Sequence, residues 1–244
     1  MTAPDHALHE LCVVACAEAW RGDGEILASP IGVLPSVAAR LARATFAPDL
    51  LMTDGVASLV RGRVVEGWMP YRTVFDTVWS GRRHVMMGAS QIDRFGNQNI
   101  SCVGDHARPK AQLVGMRGAP GNTINHPTSY WIPSHTTRVF VPRVDVVCGV
   151  GFDQAAALGK AGRFHGLRRV VTNLAVLDFD TPDHSMRLAS CHPGVSVDEV
   201  VRNTGFPLVV PSDVPSTRAP TEEELRLLRE LIDPAASAAK ELAR

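Results

Sequence analysis

The sequence predicts an α/β protein, with a largely parallel sheet and flanking helices. Helical and strand-like patterns alternate through the N-terminal part, the order that builds parallel sheets. Short apolar strand-like runs then dominate the rest of the chain. The 244 residues are 45% hydrophobic, enough for a large core, with no internal repeat, low-complexity tract or long linker. Such a length suits one large α/β domain or two small ones.

The elements follow in order. Leu8, Leu11, Cys12, Ala15, Cys16 and Ala19 recur at helical spacing, so a helix is expected from about Ala7 to Trp20. Gly22-Asp23-Gly24 breaks it, and Glu25–Ser29 reads as a strand. Pro35–Thr45 reads as a second helix with proline in its first turn. Asp49–Thr53 is a short apolar strand ending at the turn signal Asp54-Gly55. The pattern allows a short helix over Val74–Trp79, and Arg83–Met87 is a strand running into Gly88. Further strands are expected at 111–114, 137–140, 144–147, 169–171, 175–179 and 187–191. Val197–Asn203 forms a short helix closed by Gly205, and residues 207–220 form an extended, proline-rich crossing. Thr221 caps the last helix, whose first-turn glutamates suit the positive end of the helix dipole.

Lys+Arg and Asp+Glu number 25 each, so no net field draws nucleic acid or an anionic membrane over long range. The five cysteines, an odd number, fit no disulfide framework or zinc ribbon and read as small buried hydrophobes in a reducing compartment. The first residues lack the pattern of a signal peptide, and no apolar run is long enough to span a bilayer. A cytoplasmic protein is the expectation. The nine histidines form no HxH or HExxH pattern, so no metal is expected, and there is no GxSxG of a serine hydrolase.

The segment Gly88–Asn122 draws the most interest. It holds six glycines together with Gln91, Asp93, Asn97, Asn99, Asp105, Arg108, Lys110 and Arg117. Glycine permits close backbone approach, and the amide and carboxylate side chains bring hydrogen-bonding groups to it. Gln91–Asn97 reads as a hairpin, which could be an ordinary turn with Asp93 and Asn97 capping backbone groups. The strand-to-glycine step Met87-Gly88-Ala89 could instead expose amides to an oxyanion. Residues 115–121 form a second glycine loop, without the Lys-Ser/Thr ending of a P-loop or the spacing of a dinucleotide site.

These motifs, in this order, resemble the β subunit of glutaconate CoA-transferase and its relatives in the class I CoA-transferase superfamily. The resemblance runs through Ala47-Pro48-Asp49, the G-A-x-Q-I-D-x-x-G-N-x-N of Gly88–Asn99, Gly104-Asp105, Pro109-Lys110, the 115–121 loop, Asn203-Thr204-Gly205-Phe206 and Ile232-Asp233-Pro234. It implies one domain over residues 1–244, with the fold shared by glucosamine-6-phosphate and ribose-phosphate isomerases. It also implies a partner α chain, commonly as α2β2, with a site shared by the two chains. Coenzyme A would enter as part of the substrate, with no separate cofactor.

The transferases use a β-subunit glutamate in an E-x-G at the end of the short strand. Here Thr53-Asp54-Gly55 aligns with it, so Thr53 stands at the glutamate position. A hydroxyl does not form the same anhydride, because the transferase needs a carboxylate that is both nucleophile and leaving group. Asp54 is displaced by one residue, onto the other side of a strand, though an offset alignment would make it the nucleophile. One branch of the superfamily lacks this glutamate: the heteromeric ring-cleaving hydrolases of bacterial steroid degradation. Trp131-Ile132-Pro133-Ser134-His135 and the 117–122 loop resemble that branch. The resemblance implies water addition to a ring ketone of a β-keto acyl-CoA, followed by retro-Claisen cleavage. The alternative is an acyl-CoA:carboxylate CoA-transferase subunit, and a third reading is a non-catalytic partner.

The residues implicated in chemistry are Thr53, Asp54, Gln91 and Asn97, with the main base on the partner chain. Those implicated in substrate or CoA binding are Gly88, Ala89, Ser90, Lys110, Gly115, Arg117, Gly118, Ala119, Gly121 and Asn122. Lys110 or Arg117 would meet CoA phosphates, or serve as solvated or structural side chains.

Overall fold

The structure is a computed structural model that describes residues 5–53, 58–61, 64–68, 82–116 and 118–242. It forms two compact units, Met1–Met87 with Arg218–Arg244, and Gly88–Thr217. The helix expected at Val74–Trp79, the Asp54-Gly55 turn and Arg117 lie outside the described residues.

In the first unit, α1 (Leu8–Ala17) continues as a 3-10 turn, Glu18–Trp20. Its residues from Glu10 to Ala17 are all buried, Cys12 and Cys16 among them. β1 (Leu27–Pro30) lies between β2 (Leu51–Met52) and β5 (Arg83–Met87), parallel to both. The interval between β2 and β5 holds the antiparallel pair β3 (Ser58–Arg61) and β4 (Val64–Trp68), which the sequence pattern did not suggest. α2 (Val33–Thr45) buries Leu34, Val37, Ala38, Leu41 and Ala42 along one face. The Glu241 carboxylate accepts the Val33 N–H at 2.7 Å, placing a negative charge at the positive end of α2.

The C-terminal segment is held to α1 by charge. Arg218 reaches Glu18 at 2.6 Å and Glu224 at 2.7 Å, and Arg229 reaches Glu10 at 2.7 Å. Burial works to raise the Glu10 and Glu224 carboxyls, yet these pairs hold both below their ordinary range; Glu18 is lowered to about 2, first by the Arg21 guanidinium and then by Arg218. Thr221 caps the last α-helix, α6 (Glu222–Leu227), through a reciprocal box with Glu224, as its position before three glutamates suggests.

The second unit carries four sheet strands in the order β13-β12-β11-β10. β10 (Pro127–Ile132) and β11 (Gly166–Thr172) are parallel; β12 (Ala175–Asp178) and β13 (Arg187–Cys191) continue antiparallel. With β1–β2 and β1–β5 of the first unit, three sheet pairs within the units are parallel and two antiparallel among the described residues, the antiparallel ones at one edge. Two hairpins accompany them: β6 (Gln91–Ile92) with β7 (Gln98–Asn99), and β8 (Cys102–Val103) with β9 (Ala111–Gln112). Three short helices complete the unit: α3 (Ala119–Asn125), α4 (Phe152–Ala156) and α5 (Val197–Arg202). All five cysteines are free and buried.

Several expectations need correction. β10 is not among the expected strands; Pro127 is its first residue, where a missing N–H is tolerated. The strands expected at 137–140 and 144–147 are irregular chain. Their backbone groups go elsewhere: Ile92 N–H donates to Val139 at 2.7 Å, Val141 N–H to Ile92 at 2.9 Å, and Pro142 has no N–H to give. Part of the glycine loop at 115–121 is α3, with Pro120 in its first turn.

Candidate functional site

The hairpin β6–β7 is built from its own side chains. Asp93 Oδ1 accepts the backbone N–H groups of Phe95 and Asn97, each at 3.1 Å, and so closes the turn. Asn97 Nδ2 donates to Asp93 Oδ2 at 3.0 Å and to Asp153 Oδ1 at 2.8 Å, while its Oδ1 accepts the Gly151 N–H at 2.8 Å. Burial raises the Asp93 carboxyl above its usual range, against the lowering effect of these hydrogen bonds. Nearby Asp153 adds like-charge repulsion. The capping reading of Asp93 and Asn97 therefore describes what these side chains do locally.

Gln91 is similarly occupied. Its Nε2 donates to Asp145 Oδ2 at 2.9 Å, and its Oε1 accepts from Asn99 Nδ2 at 2.7 Å and from the Asp145 N–H at 3.0 Å. Asp145 also accepts the Gly104 N–H at 2.8 Å, tying this hairpin to β8–β9. These hydrogen bonds, with help from the Lys110 charge, hold the Asp145 carboxyl below its usual range. The amides of Gln91 and Asn97 are thus engaged within the hairpin and its neighbours, and brace it. Asp145 and Asp153, which complete the network, carried no local signal, since each lies more than 50 residues from its partner.

The glycine turn between β5 and β6 is differently disposed. Gly88 is exposed, and Ala89 and Ser90 are half-buried. The Ser90 N–H donates to the Asn99 carbonyl at 3.0 Å, which fixes the turn on the hairpin. Lys110 is exposed at the entry to β9, and its N–H donates to the Val103 carbonyl at 2.8 Å. Gly115 has φ +86 and open space where a side chain would stand. Gly118 is the N-cap of α3, and Ala119, Gly121 and Asn122 lie within that helix. Ala119 is buried, so its methyl group packs inward. Gly118 and Gly121 are exposed, and Asn122 is half-buried.

In the first unit, Thr53 follows β2, is half-buried and makes an isolated antiparallel bridge with Leu59. Leu51 is exposed and Met52 buried, the alternation of a one-sided strand, and it returns to partial exposure at Thr53. Asp54 lies outside the described residues.

His135 ends the Trp131–His135 motif inside the second unit. Nδ1 lies 3.0 Å from Thr172 Oγ1, Nε2 lies 3.0 Å from Thr204 Oγ1, and the ring stacks on Phe140 at 3.8 Å. Burial, with His192 adding repulsion, lowers its pKa to about 3. The unfolded chain therefore binds a proton here at a pH where the folded chain does not. Stability from this group is fully present above the ordinary histidine pKa near 6.5 and is lost as pH falls towards about 3. The total is on the order of 5 kcal/mol. Urea titrations across this window should show a shallower pH slope for His135→Gln than for the wild type. An unchanged slope would assign the acid sensitivity elsewhere.

The chain belongs to the coenzyme A transferase family, and its glycine turn and carboxamide-braced hairpin lie within the region that identifies it. The family profile described as Coenzyme A transferase matches residues 75–203. Among individual relatives, the cholesterol ring-cleaving hydrolase IpdB subunit of Rhodococcus jostii (strain RHA1) is 56% identical over 232 residues, covering 92% of each chain. The crystal structure of Rhodococcus jostii RHA1 IpdAB superposes with a TM-score of 0.92 at 53% identity, covering 98% of this chain and 99% of that one. Glutaconate coenzyme A-transferase from Acidaminococcus fermentans superposes with a TM-score of 0.81 at 26% identity, covering 96% and 97%.

Proposed function

We infer that this chain is the β-type subunit of a heteromeric hydrolase that acts with an α subunit on a steroid-derived β-keto acyl-CoA. The 56% identity to a cholesterol ring-cleaving hydrolase subunit over 92% of both chains carries this reading. Thr53 at the position of the transferase glutamate supports it, because a threonine hydroxyl cannot serve as the carboxylate nucleophile of double displacement. In the reaction, the oxygen of water adds to a ring ketone in what remains of rings C and D, giving a tetrahedral oxyanion. The bond between that carbon and its neighbour then breaks, and the electron pair leaves as an enolate. Proton transfer gives a carboxylic acid and a new C–H bond.

Within this chain, the turn Gly88-Ala89-Ser90 would face the oxyanion. Gln91 and Asn97 would hold that turn. Lys110, Gly115, Arg117, Gly118, Gly121 and Asn122 are assigned to the acyl-CoA, and Thr53 and Asp54 to the position left by the glutamate. The Asp93 carboxylate is occupied by the hairpin's own donors, which leaves the general base to the α subunit. Coenzyme A belongs to the substrate. Among the described residues no helix is long and apolar enough to cross a membrane. We place the enzyme in the cytoplasm, a reading supported by five free buried cysteines.

The test is turnover of the α–β complex in heavy-oxygen water. Mass spectrometry should find one solvent oxygen in the newly formed carboxylate, and the isolated chain should show little or no turnover. A product without solvent oxygen, or a CoA thioester trapped on either chain by borohydride, would make the complex a transferase.

A further inference from the structure

We propose that Gln98 is a positioning residue that sets the oxyanion-facing amide of the glycine turn. The proposal rests on the reading of Gly88-Ala89-Ser90 as the wall that meets the developing charge. Gln98 sits on β7 between Asn97 and Asn99, the two asparagines of the G-N-x-N motif, where the motif itself specifies nothing. It is 1% exposed. Its Nε2 donates to the carbonyl oxygen of Gly88. The reverse amide orientation would set two acceptors against each other.

This bond has a geometric consequence. A trans peptide directs its C=O and its N–H to opposite sides, and the described chain has no cis peptide. Drawing the Gly88 carbonyl towards β7 therefore turns the N–H of Ala89 away from the hairpin. Among the described residues no acceptor for that N–H is found. One residue further on, the Ser90 N–H is fixed to Asn99 at 3.0 Å, so the turn is held at both ends with one amide left to point outward. An outward, preorganised amide is what a developing oxyanion requires.

The base of the Gln98 side chain is itself anchored. Its backbone N–H donates to Gly149 at 2.9 Å, and its carbonyl accepts from Cys148 at 2.8 Å. Gly149 leaves the room the side chain needs, since a Cβ there would come within 2.8 Å of Gln98 Oε1.

The experiment compares wild type, Gln98→Leu and Gln98→Glu in the assembled α–β complex, with a bicyclic β-keto acyl-CoA as substrate. Gln98→Leu removes the donor at similar volume. It should lower kcat by about tenfold to a hundredfold, below the full cost of deleting an oxyanion donor, with KM within about threefold. Gln98→Glu keeps the shape, and its neutral carboxyl can still donate to Gly88. Its kcat should approach wild type at low pH and fall as pH rises and the carboxyl ionises, a titration absent from the wild-type profile.

Gln98→Leu with wild-type kcat would overturn the proposal. So would a loss explained by lower thermal stability or assembly, with no low-pH recovery in Gln98→Glu. If the wild-type complex opens no ring, the functional reading fails on its own account. Hydrogen exchange at residues 88–90 then decides the role of Gln98: faster exchange in Gln98→Leu supports it, and unchanged exchange overturns it.

Discussion

Gly151→Ala is expected to destabilise the chain by about 3 kcal/mol, the upper end of overpacking costs. A Cβ at Gly151 would come within 2.6 Å of both the Asn97 nitrogen and the Phe95 carbonyl oxygen, and 2.8 Å of the Asn97 carboxamide carbon. Two of these neighbours are backbone atoms in a turn closed by Asp93, so they cannot swing aside as a flexible side chain would. Relief would require breaking the bond from Gly151 N–H to Asn97 Oδ1, one of the links between the hairpin and α4. Activity of the α–β complex should fall with stability, because the same hairpin holds the glycine turn. Gly166→Ala is the control: nothing lies within 4 Å of its added methyl, and its effect should stay within about 1 kcal/mol. Urea denaturation of the two variants measures the difference. A Gly151→Ala midpoint equal to wild type would mean the turn is not braced as described.

Asp23→Ala should cost about 3–5 kcal/mol, the usual penalty for breaking a buried pair by removing one partner. Asp23 Oδ2 lies 2.6 Å from His84 Nδ1, and the side chains are 1% and 0% exposed. His84 belongs to β5, the strand that leads into the glycine turn, and Asp23 to the loop before β1. The pair therefore fixes a loop to the sheet of the first unit, with Trp20 tilted against the imidazole at 5.6 Å. Asp23→Asn should cost less, because an amide oxygen can still accept the imidazole N–H. The double variant Asp23→Ala/His84→Leu should cost less than the sum of its parts, since neither member of the pair is left buried without the other. A single-variant loss below about 1 kcal/mol would show that water or another group replaces the carboxylate.

The elements legible in the sequence share one property: a local signal. α1 carries apolar residues at helical spacing, α2 a proline in its first turn, and the last helix Thr221 before three glutamates. The misread elements answer to distant partners. β10 is a strand because β11 accepts it in parallel register, a pairing invisible beside two prolines. The stretch 137–147 reads as two strands, yet Ile92 takes backbone groups of Val139 and Val141 at an isolated bridge with Phe140. The β3–β4 pair was missed because its short runs lack a strong alternation.

The candidate site divides in the same way. Its segment, Gly88–Asn122, was marked by glycine and carboxamide content, and Thr53 was marked by the residue it replaces. What each side chain does there required coordinates. Gln91 and Asn97 looked like chemistry and proved to be engaged by Asp145, Asp153 and Gly151. Gln98 carried no mark, yet it holds the Gly88 carbonyl. By itself the sequence determined the fold class, through composition and periodicity, and its motif order carried the resemblance to the family, because these are properties of the chain taken locally. Only the tertiary structure decided which polar groups are spent on one another and which remain to face outward. Hydrogen-bond satisfaction is settled by partners tens of residues away.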